Sequence, residues 1–160
     1  MLPTPTPAPV LAPMSSDESI VLPSLLLESV TARRADLFTL PAGVYGFESC
    51  RTYALVPSGR EKLWWLQSAD RAELVFLVAD PFHYFPGYEA DVPPVELAQV
   101  GVSSHATLMV LVIVTLPQRD GEGPTANLRA PLVLDVDGRV GRQVVLADER
   151  YGVQTPFALS

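Results

Sequence analysis

Residues 77–92, LVADPFHYFPGYEADV, combine several side-chain types that can do chemistry. Three carboxylates (Asp80, Glu89 and Asp91), the imidazole of His83 and four phenylalanine or tyrosine rings share this stretch. Paired carboxylates can transfer protons in a catalytic cleft, a histidine with carboxylates can bind a metal ion, and rings beside acids can form a protein-docking surface. These three kinds of site place different demands on the rest of the chain.

The histidine content gives a metal centre little support. His83 and His105 are the only two histidines, and neither belongs to a paired motif such as HExxH. Carboxylates in a loop are ordinarily solvated, and a single imidazole among them lacks the ligand spacing of zinc sites. We therefore predict no metal ion and no other cofactor.

Sequence motifs for catalysis are missing as well. There is no GxSxG, and Cys50 has no local signature of a nucleophile, so we predict a buried or half-buried structural residue there. Eighteen carboxylates offer many acid–base pairs without favouring any one. GVYGFE at 43–48 lacks the lysine and hydroxyl residue of a phosphate loop, and its glycines are expected to supply positive φ in a turn. We predict a protein without catalytic residues.

The composition sets broad limits on partners and compartment. The 160 residues fit a single domain, and 48% of them are apolar, which is enough for a buried core. The formal charge of −7 disfavours direct binding of nucleic acid but permits a basic protein partner. No stretch approaches the roughly 20 apolar residues that span a bilayer, and the N-terminus is a poor signal peptide. We expect a soluble, cytoplasmic protein that does not bind membranes.

Proline and glycine divide the chain into a tail and a series of short elements. Residues 1–23 contain six prolines and are expected to be a disordered tail, followed by a single domain over 24–160. One helix is predicted at 93–101, with proline in its first turn and Gly101 at its end. Asp137–Gly138 is expected to be a hairpin turn.

Segments rich in leucine, valine, threonine and aromatic residues predict β-strands through the rest of the chain. They are 24–30, 36–40, 52–56, 63–68, 73–79, 107–116, 131–136, 142–147 and 151–157. No helix long enough to cross between parallel strands is predicted. The fold class is therefore mainly β, a compact antiparallel β-barrel-like or sandwich domain with one short helix.

Two turns are expected to hold the 77–92 segment in few conformations. Asp80–Pro81 ends the preceding strand, since proline cannot donate to a ladder, and Asp80 is placed to cap backbone amides. Pro86–Gly87 makes the second turn. A segment restricted in this way loses little entropy on binding, which favours recognition.

The orientation of the four rings is predicted from residue type. Phe82 and Phe85 are the better candidates for closing one end of the barrel. Tyr84 and Tyr88 carry a hydroxyl on an apolar body, so we interpret them as docking residues.

Two other classes of function stay open at this point. The first is a small hydrolase or isomerase that uses the 77–92 loop, which a pocket with a strongly shifted carboxylate pKa would favour. The second is a barrel that binds a carbohydrate or another small ligand, with Trp64 or Trp65 stacked on a sugar. Adjacent strand residues point to opposite faces, so only one tryptophan can face a given ligand, and we expect one of them in the core.

Several stretches, taken in order, resemble the FliW family of flagellar assembly factors. They are LPAGVYGFES (40–49), WLQS (65–68), FLVADPFHYFPGYE (76–89), VLVIVTLP (110–117), TANLRAPLVLD (125–135) and RQVVL (142–146). The first is similar to the family's glycine–x–x–glycine–Phe–Glu turn, the second to its Leu-Gln-Ser strand, and the third to its Phe…Asp-Pro…Tyr-Glu segment. The resemblance covers about residues 25–157. It departs from the family at Tyr45, where proline is common, and more widely in the 1–23 tail, to which no family counterpart is assigned.

The resemblance implies a β-barrel-like protein without catalytic activity that binds flagellin and the RNA-binding translational regulator CsrA in the cytoplasm. It also implies a switch of partners. Flagellin occupies the factor until it is exported, and the released factor then occupies CsrA and relieves or alters the repression of flagellin messenger RNA.

Five residues are the candidates for partner contacts under this resemblance. They are Glu48, Asp80, Tyr84, Tyr88 and Glu89. Asn127 is instead expected to bond a neighbouring backbone group.

Overall fold

The computed structural model describes residues 19–24, 27–98 and 107–158. Within these ranges the chain forms short strands and two short α-helices. The elements are β1 (Ser19–Ser24), β2 (Glu28–Arg33), β3 (Leu37–Thr39), β4 (Thr52–Pro57), β5 (Leu63–Ser68), β6 (Val75–Ala79), α1 (Pro81–Tyr84), α2 (Pro94–Ala98), β7 (Leu108–Thr115), β8 (Thr125–Ala126), β9 (Leu132–Asp135), β10 (Val140–Gln143) and β11 (Thr155–Pro156).

Seven of these strands close into a barrel. β3 to β7 pair in sequence as antiparallel neighbours, and β7 also pairs with β9. β10 then joins β9 to β3, with Val140 and Thr39 as partners in a parallel pairing. The prediction of a mainly β, antiparallel, barrel-like fold is confirmed by this ring.

The alternation of side chains along each strand separates the barrel interior from its outer surface. Leu66 of β5 and Val78 of β6 belong to the interior core. Trp65 and Leu77, one position away on the same strands, belong to a second cluster outside the barrel. Because both sides of these strands are covered, their sequences are continuous apolar runs without a polar face.

Other parts of the chain provide that outer cover. Residues from the 81–92 segment and from 144–157 pack with Leu77 of β6 and Val112 of β7. On another face, the β1–β2 hairpin packs its apolar side chains against Ala54 of β4. The segment with the candidate site is therefore one wall of the outer cluster.

The predicted N-terminal tail overlaps the first strand. β1 begins at Ser19, so residues 19–23 belong to a strand, while 1–18 lie outside the described residues. The strand predicted at 24–30 is in fact interrupted: its ends belong to β1 and β2, and between them the Leu27 N–H donates to Ser24 Oγ at 3.0 Å while Glu28 has φ of +65°. The leucines of this run match a strand, and they conceal the turn because no glycine or proline marks it.

Most other strands lie within two residues of their predicted ends. The strand predicted at 142–147 is displaced toward the N-terminus as β10, the one predicted at 151–157 shortens to β11, and β8 was not predicted. Asp137–Gly138 lies in the connection between β9 and β10, as predicted. The helix predicted at 93–101 is confirmed over Pro94–Ala98, with Gly101 outside the described residues, but α1 is an additional helix.

None of the helices in the described ranges is long and apolar enough to span a bilayer.

Candidate functional site

Asp80 uses its carboxylate to start α1. Its Oδ1 accepts the N–H of Phe82 at 2.9 Å, which makes Asp80 the N-cap of the helix. Pro81 occupies the first helical position, where its missing N–H is no loss. The Asp80 N–H donates to the carbonyl of Lys62 at 3.0 Å and fastens the helix start to the chain entering β5. The predicted capping role is confirmed, and it accounts for the helix that the sequence analysis missed.

Tyr88 is a core residue. Only 6% of it is exposed, and its hydroxyl donates to the carbonyl of Leu128 at 2.8 Å. Its ring centroid lies 4.7 Å from that of Tyr151, and burial raises the pKa of its phenol well above the ordinary value of 10.0. The interpretation of Tyr88 as a docking residue is therefore corrected. Gly87, with φ of +87°, turns the chain so that this ring packs onto the barrel.

The exposed ring of the segment is Phe82, which residue type had placed in the core. Phe82 is 51% exposed, and its ring centroid lies 5.6 Å from that of Tyr88. Pro81 is the buried member of the short helix, which leaves Phe82 on its outer side. Phe85 is half-buried, with its ring centroid 5.8 Å from that of Phe157. The cap geometry, and not residue type, decides which ring faces solvent.

Tyr84 is half-buried and fastens the end of α1. Its hydroxyl donates to the carbonyl of Glu61 at 2.5 Å, and its ring centroid lies 4.8 Å from that of Phe157. The exposed imidazole of His83 meets the ring of Tyr84 edge-on at 4.7 Å. The outer parts of Phe82, His83 and Tyr84, together with Glu89, are called the α1 surface below.

Glu89 presents its carboxylate to solvent from a fixed backbone position. Its N–H donates to the hydroxyl of Tyr151 at 2.8 Å, while its side chain is 76% exposed. Nη2 of Arg150 lies 3.6 Å from Glu89 Oε2 and 2.6 Å from Asp148 Oδ2. The hydrogen bond from the Arg150 side chain lowers the pKa of the Asp148 carboxyl. Glu89 thus faces solvent beside an ion pair that holds Arg150.

Glu48 lies in another part of the molecule. It ends the 43–48 turn, whose Phe47 packs with the interior core, whereas the α1 surface belongs to the outer cluster. Its Oε1 accepts the N–H of Gly46 at 3.1 Å, and this backbone bond lowers the pKa of the exposed carboxyl. Gly43 and Gly46 have φ of +68° and +92°, so the positive φ predicted for this turn is confirmed. The structure therefore does not bring Glu48 together with the other four predicted residues.

The arrangement favours recognition over catalysis. The described carboxyl groups with shifted pKa are Asp36, Glu48 and Asp148, and all three are shifted downward by hydrogen bonds, the opposite of a general acid at neutral pH. Between Ser19 and Phe157, apart from residues 25–26 and 99–106, no group of three histidine, cysteine or carboxylate side chains is placed to hold a metal. His105 lies outside the described residues.

The concave surface and the tryptophans give no support to a small-ligand site in the 77–92 loop. A groove of about 670 Å³ lies instead at the β7–β8 hairpin, lined by residues between Thr115 and Thr125 and by Gln154 and Pro156. Trp64 packs with the interior core and Trp65 with the outer cluster, on opposite faces as predicted. Both are half-buried, Trp64 is the one that packs against the interior core, and the two form no shared stacking platform.

Two structural roles predicted from the sequence are confirmed. Cys50 is buried, with 4% of it exposed. Oδ1 of Asn127 accepts the N–H of Ala130 at 3.0 Å, which is the local backbone bond expected for this residue.

The residues that hold Glu89 in place were not predicted from the sequence. Tyr151 reaches Glu89 across 62 positions of sequence, and Arg150 approaches from the same C-terminal segment. Neither belongs to a motif, and residues 151–157 were predicted only as a strand. No local signal identifies such a contact, because it depends on where the chain lies after the barrel has closed.

Comparison with known proteins relates the whole described domain to one family. The FliW protein family model matches residues 23–157. A flagellar assembly factor FliW of Symbiobacterium thermophilum is 37% identical over 124 residues, which cover 76% of this chain and 89% of that protein. The flagellar assembly factor FliW of Treponema denticola is 37% identical over 118 residues, covering 74% of this chain and 80% of that protein.

The fold comparison agrees with the sequence comparison. The chain matches a crystal structure of the flagellar assembly factor FliW with a TM-score of 0.76 and 28% sequence identity. The match covers 85% of this chain and 95% of the other. The similarity therefore extends over the barrel and its outer cover.

Proposed function

The chain belongs to the FliW family, and from that premise we propose that it is a flagellar assembly factor that binds other proteins and catalyses no reaction. The observation that carries the proposal is the family match over residues 23–157. The 77–92 segment supports it, because Asp80 caps a helix, Glu89 lies beside Arg150, and the rings of Tyr84, Phe85 and Tyr88 pack on the barrel.

We propose flagellin and CsrA as the two partners, bound in turn in the cytoplasm. Flagellin occupies the protein before export, and the protein released by export then occupies CsrA and changes its repression of flagellin messenger RNA. The formal charge of −7 suits this role. An acidic protein seated on an RNA-binding partner repels phosphate, so it opposes RNA binding without contacting nucleic acid itself.

We propose the α1 surface as a contact region for these partners. The 76% exposed side chain of Glu89 and the 51% exposed Phe82 place an acid and an aromatic ring on the same short segment. This combination suits a partner segment with basic and apolar side chains. Tyr84 adds its open edge, whereas Asp80 and Tyr88 hold the segment from beneath.

Glu48 forms a separate contact candidate on the 43–48 turn. Because its turn packs with the interior core and the α1 surface packs outside the barrel, the two regions offer two distinct places for a partner. Charge reversal at each position separates their contributions.

Binding kinetics with purified flagellin and CsrA test the proposal. The wild-type protein is expected to bind each partner, and saturating flagellin is expected to prevent binding of CsrA. Glu89→Lys should slow association with at least one partner by roughly fivefold, and the difference should shrink as salt is raised, because screening acts within about 8 Å at physiological ionic strength. Glu122→Lys is the matched control, since it reverses an exposed charge on the β7–β8 hairpin, outside the α1 surface.

The outcomes test the proposed function and the proposed contact region separately. If neither partner binds the folded wild-type protein, the proposed function is wrong. If both bind and Glu89→Lys behaves as Glu122→Lys does, the α1 surface is not the contact region. Circular dichroism of each variant confirms that the comparison is made between folded proteins.

A further inference from the structure

The sequence contains two Asp–Gly pairs, and the structure places their peptide nitrogens in opposite surroundings. The pairs are Asp120–Gly121 and Asp137–Gly138. Both pairs are exposed, so access to water does not distinguish them. An Asp–Gly pair is chemically labile because glycine has no side chain to keep its nitrogen away from the carboxyl group of the preceding residue.

Asp120–Gly121 forms the centre of an exposed β-turn on the β7–β8 hairpin. The Glu122 N–H donates to the carbonyl of Arg119 at 3.3 Å, and Gly121 has φ of +87°, as the third residue of a type II turn requires. In such a turn the central peptide N–H points outward. Among the described residues the Gly121 N–H has no hydrogen-bond partner, and no heavy atom outside Gly121 and its two chain neighbours lies within 4 Å of the position of a Cβ at this residue.

Asp137–Gly138 is held by a third carboxylate. Oδ1 of Asp135 accepts the N–H of Asp137 and the N–H of Gly138, each at 3.0 Å. Asp135 is itself buried, with 6% of it exposed, and its Oδ2 lies 2.6 Å from the position of a Cβ at Gly138. The Gly138 nitrogen is therefore crowded, and it can lose its proton only by giving up a hydrogen bond to a charged acceptor.

We propose that Asp120–Gly121 is a site of spontaneous isoaspartate formation, and that Asp135 protects Asp137–Gly138 from the same reaction. The Gly121 nitrogen loses its proton and attacks Cγ of the Asp120 carboxyl group. The new C–N bond closes a succinimide ring while the C–OH bond breaks and one water leaves. Water then adds at the main-chain carbonyl of Asp120 and breaks its bond to the Gly121 nitrogen, so the chain continues through the former side-chain carboxyl. Water is the only co-reactant, and the mass of the product equals that of the starting chain.

The reaction would alter the groove at the β7–β8 hairpin. Arg119, Glu122 and Gly123 line the groove at the β7–β8 hairpin, together with residues of β8 and β11. Isoaspartate adds one carbon to the main chain of the turn and moves its carboxylate onto the backbone. The wall of the groove then changes shape and charge position without any enzyme.

Site-resolved ageing of the full chain tests this proposal. The native protein is held at 37 °C and neutral pH and sampled over several weeks. Isoaspartate is then measured at each pair by mass spectrometry after digestion with a protease that cleaves before aspartate but not before isoaspartate. A parallel sample is aged in denaturant, where Asp135 no longer bonds either N–H. In the native protein Asp120–Gly121 should convert at least about tenfold faster than Asp137–Gly138, the factor expected for a hydrogen bond to a charged group. In denaturant the two rates should agree within a few-fold.

Two variants assign the causes. Asp120→Glu should abolish conversion at the hairpin and leave Asp137–Gly138 unchanged. Asp135→Ala should raise conversion at Asp137–Gly138 in the folded protein, and the denatured comparison gives the same answer if this variant does not fold. Equal native rates at the two pairs, or faster conversion at Asp137–Gly138, would overturn the proposal.

Discussion

Removing one oxygen atom from Tyr88 tests whether a buried hydrogen bond holds the 77–92 segment to the barrel. Tyr88→Phe leaves the ring between Phe82 and Tyr151 but takes the donor away from the buried carbonyl of Leu128. An unsatisfied buried acceptor of this kind costs about 1–3 kcal/mol. We therefore expect a loss of about 2 kcal/mol in the free energy of unfolding, or roughly 4–8 °C in Tm for a domain of this size.

Tyr84→Phe is the matched control on the same segment. The Tyr84 hydroxyl also donates to a backbone carbonyl, that of Glu61, but this bond lies at the exposed edge of α1. Water can take the place of the lost donor there, so we expect a loss below about 0.5 kcal/mol. The two variants remove the same atom and differ in the burial of the bond.

Urea unfolding at neutral pH, followed by tryptophan fluorescence and far-ultraviolet circular dichroism, measures both variants. The slope of the free energy against urea should stay constant, because neither change alters the surface exposed on unfolding. A Tyr88→Phe protein no less stable than Tyr84→Phe would refute the assignment of Tyr88 to the core. Tyr88→Phe should also leave partner binding unchanged, since this hydroxyl faces the barrel.

Three further predictions follow from the geometry of turns and buried phenols. Burial raises the pKa of Tyr53 and Tyr88 above 10.0, so the folded state holds these protons more tightly. The contribution of these two phenols to stability should therefore be constant below about pH 10 and fall above it. Urea midpoints measured across that range should fall less steeply in Tyr88→Phe, and an identical fall would contradict the prediction. Gly46→Ala should cost about 1–3 kcal/mol in the free energy of unfolding through its positive φ alone. Gly43→Ala should cost more, because its Cβ would lie 2.6 Å from Cα of Glu48. Equal Tm values for the two variants would contradict this ranking and show that the backbone at Glu48 shifts away from the new Cβ. Asp80→Ala should lower the free energy of unfolding by about 1 kcal/mol and Asp80→Asn by much less, since asparagine can still accept the Phe82 N–H. Thermal melts that rank the two variants the other way would exclude capping as the role of this carboxylate.

The strands were predictable because their apolar runs are long and end at glycine, proline or polar residues. β5 was predicted at its observed bounds, and β7 within one residue at each end. The side that each residue faces was not predictable. Trp65 and Leu66 are both covered, one outside the barrel and one inside, so the sequence shows no alternation that would tell them apart.

The same distinction applies to the candidate site, where contacts between sequence neighbours were predictable and long-range contacts were not. The cap at Asp80 was predictable because the donor and acceptor lie two residues apart and proline marks the helix start. The burial of Tyr88 and the position of Glu89 depend on Leu128 and Tyr151, which are 40 and 62 positions away. Contacts of that separation exist only after barrel closure, and the local sequence carries no trace of them.

Barrel closure also sets an order of events during synthesis. The sheet from β3 to β7 is complete when Thr115 has left the ribosome, yet its edges are paired by β8, β9 and β10, of which β10 ends at Gln143. Until then the nascent chain carries two open strand edges, and its outer apolar face stays uncovered until residues 144–157 have been synthesised. Open edges and bare apolar surface are what nascent chains aggregate through. A chain that ends between β7 and β9 would therefore expose both edges of a five-stranded sheet and is expected to aggregate, whereas one that ends before β5 contains only the β1–β2 and β3–β4 pairs.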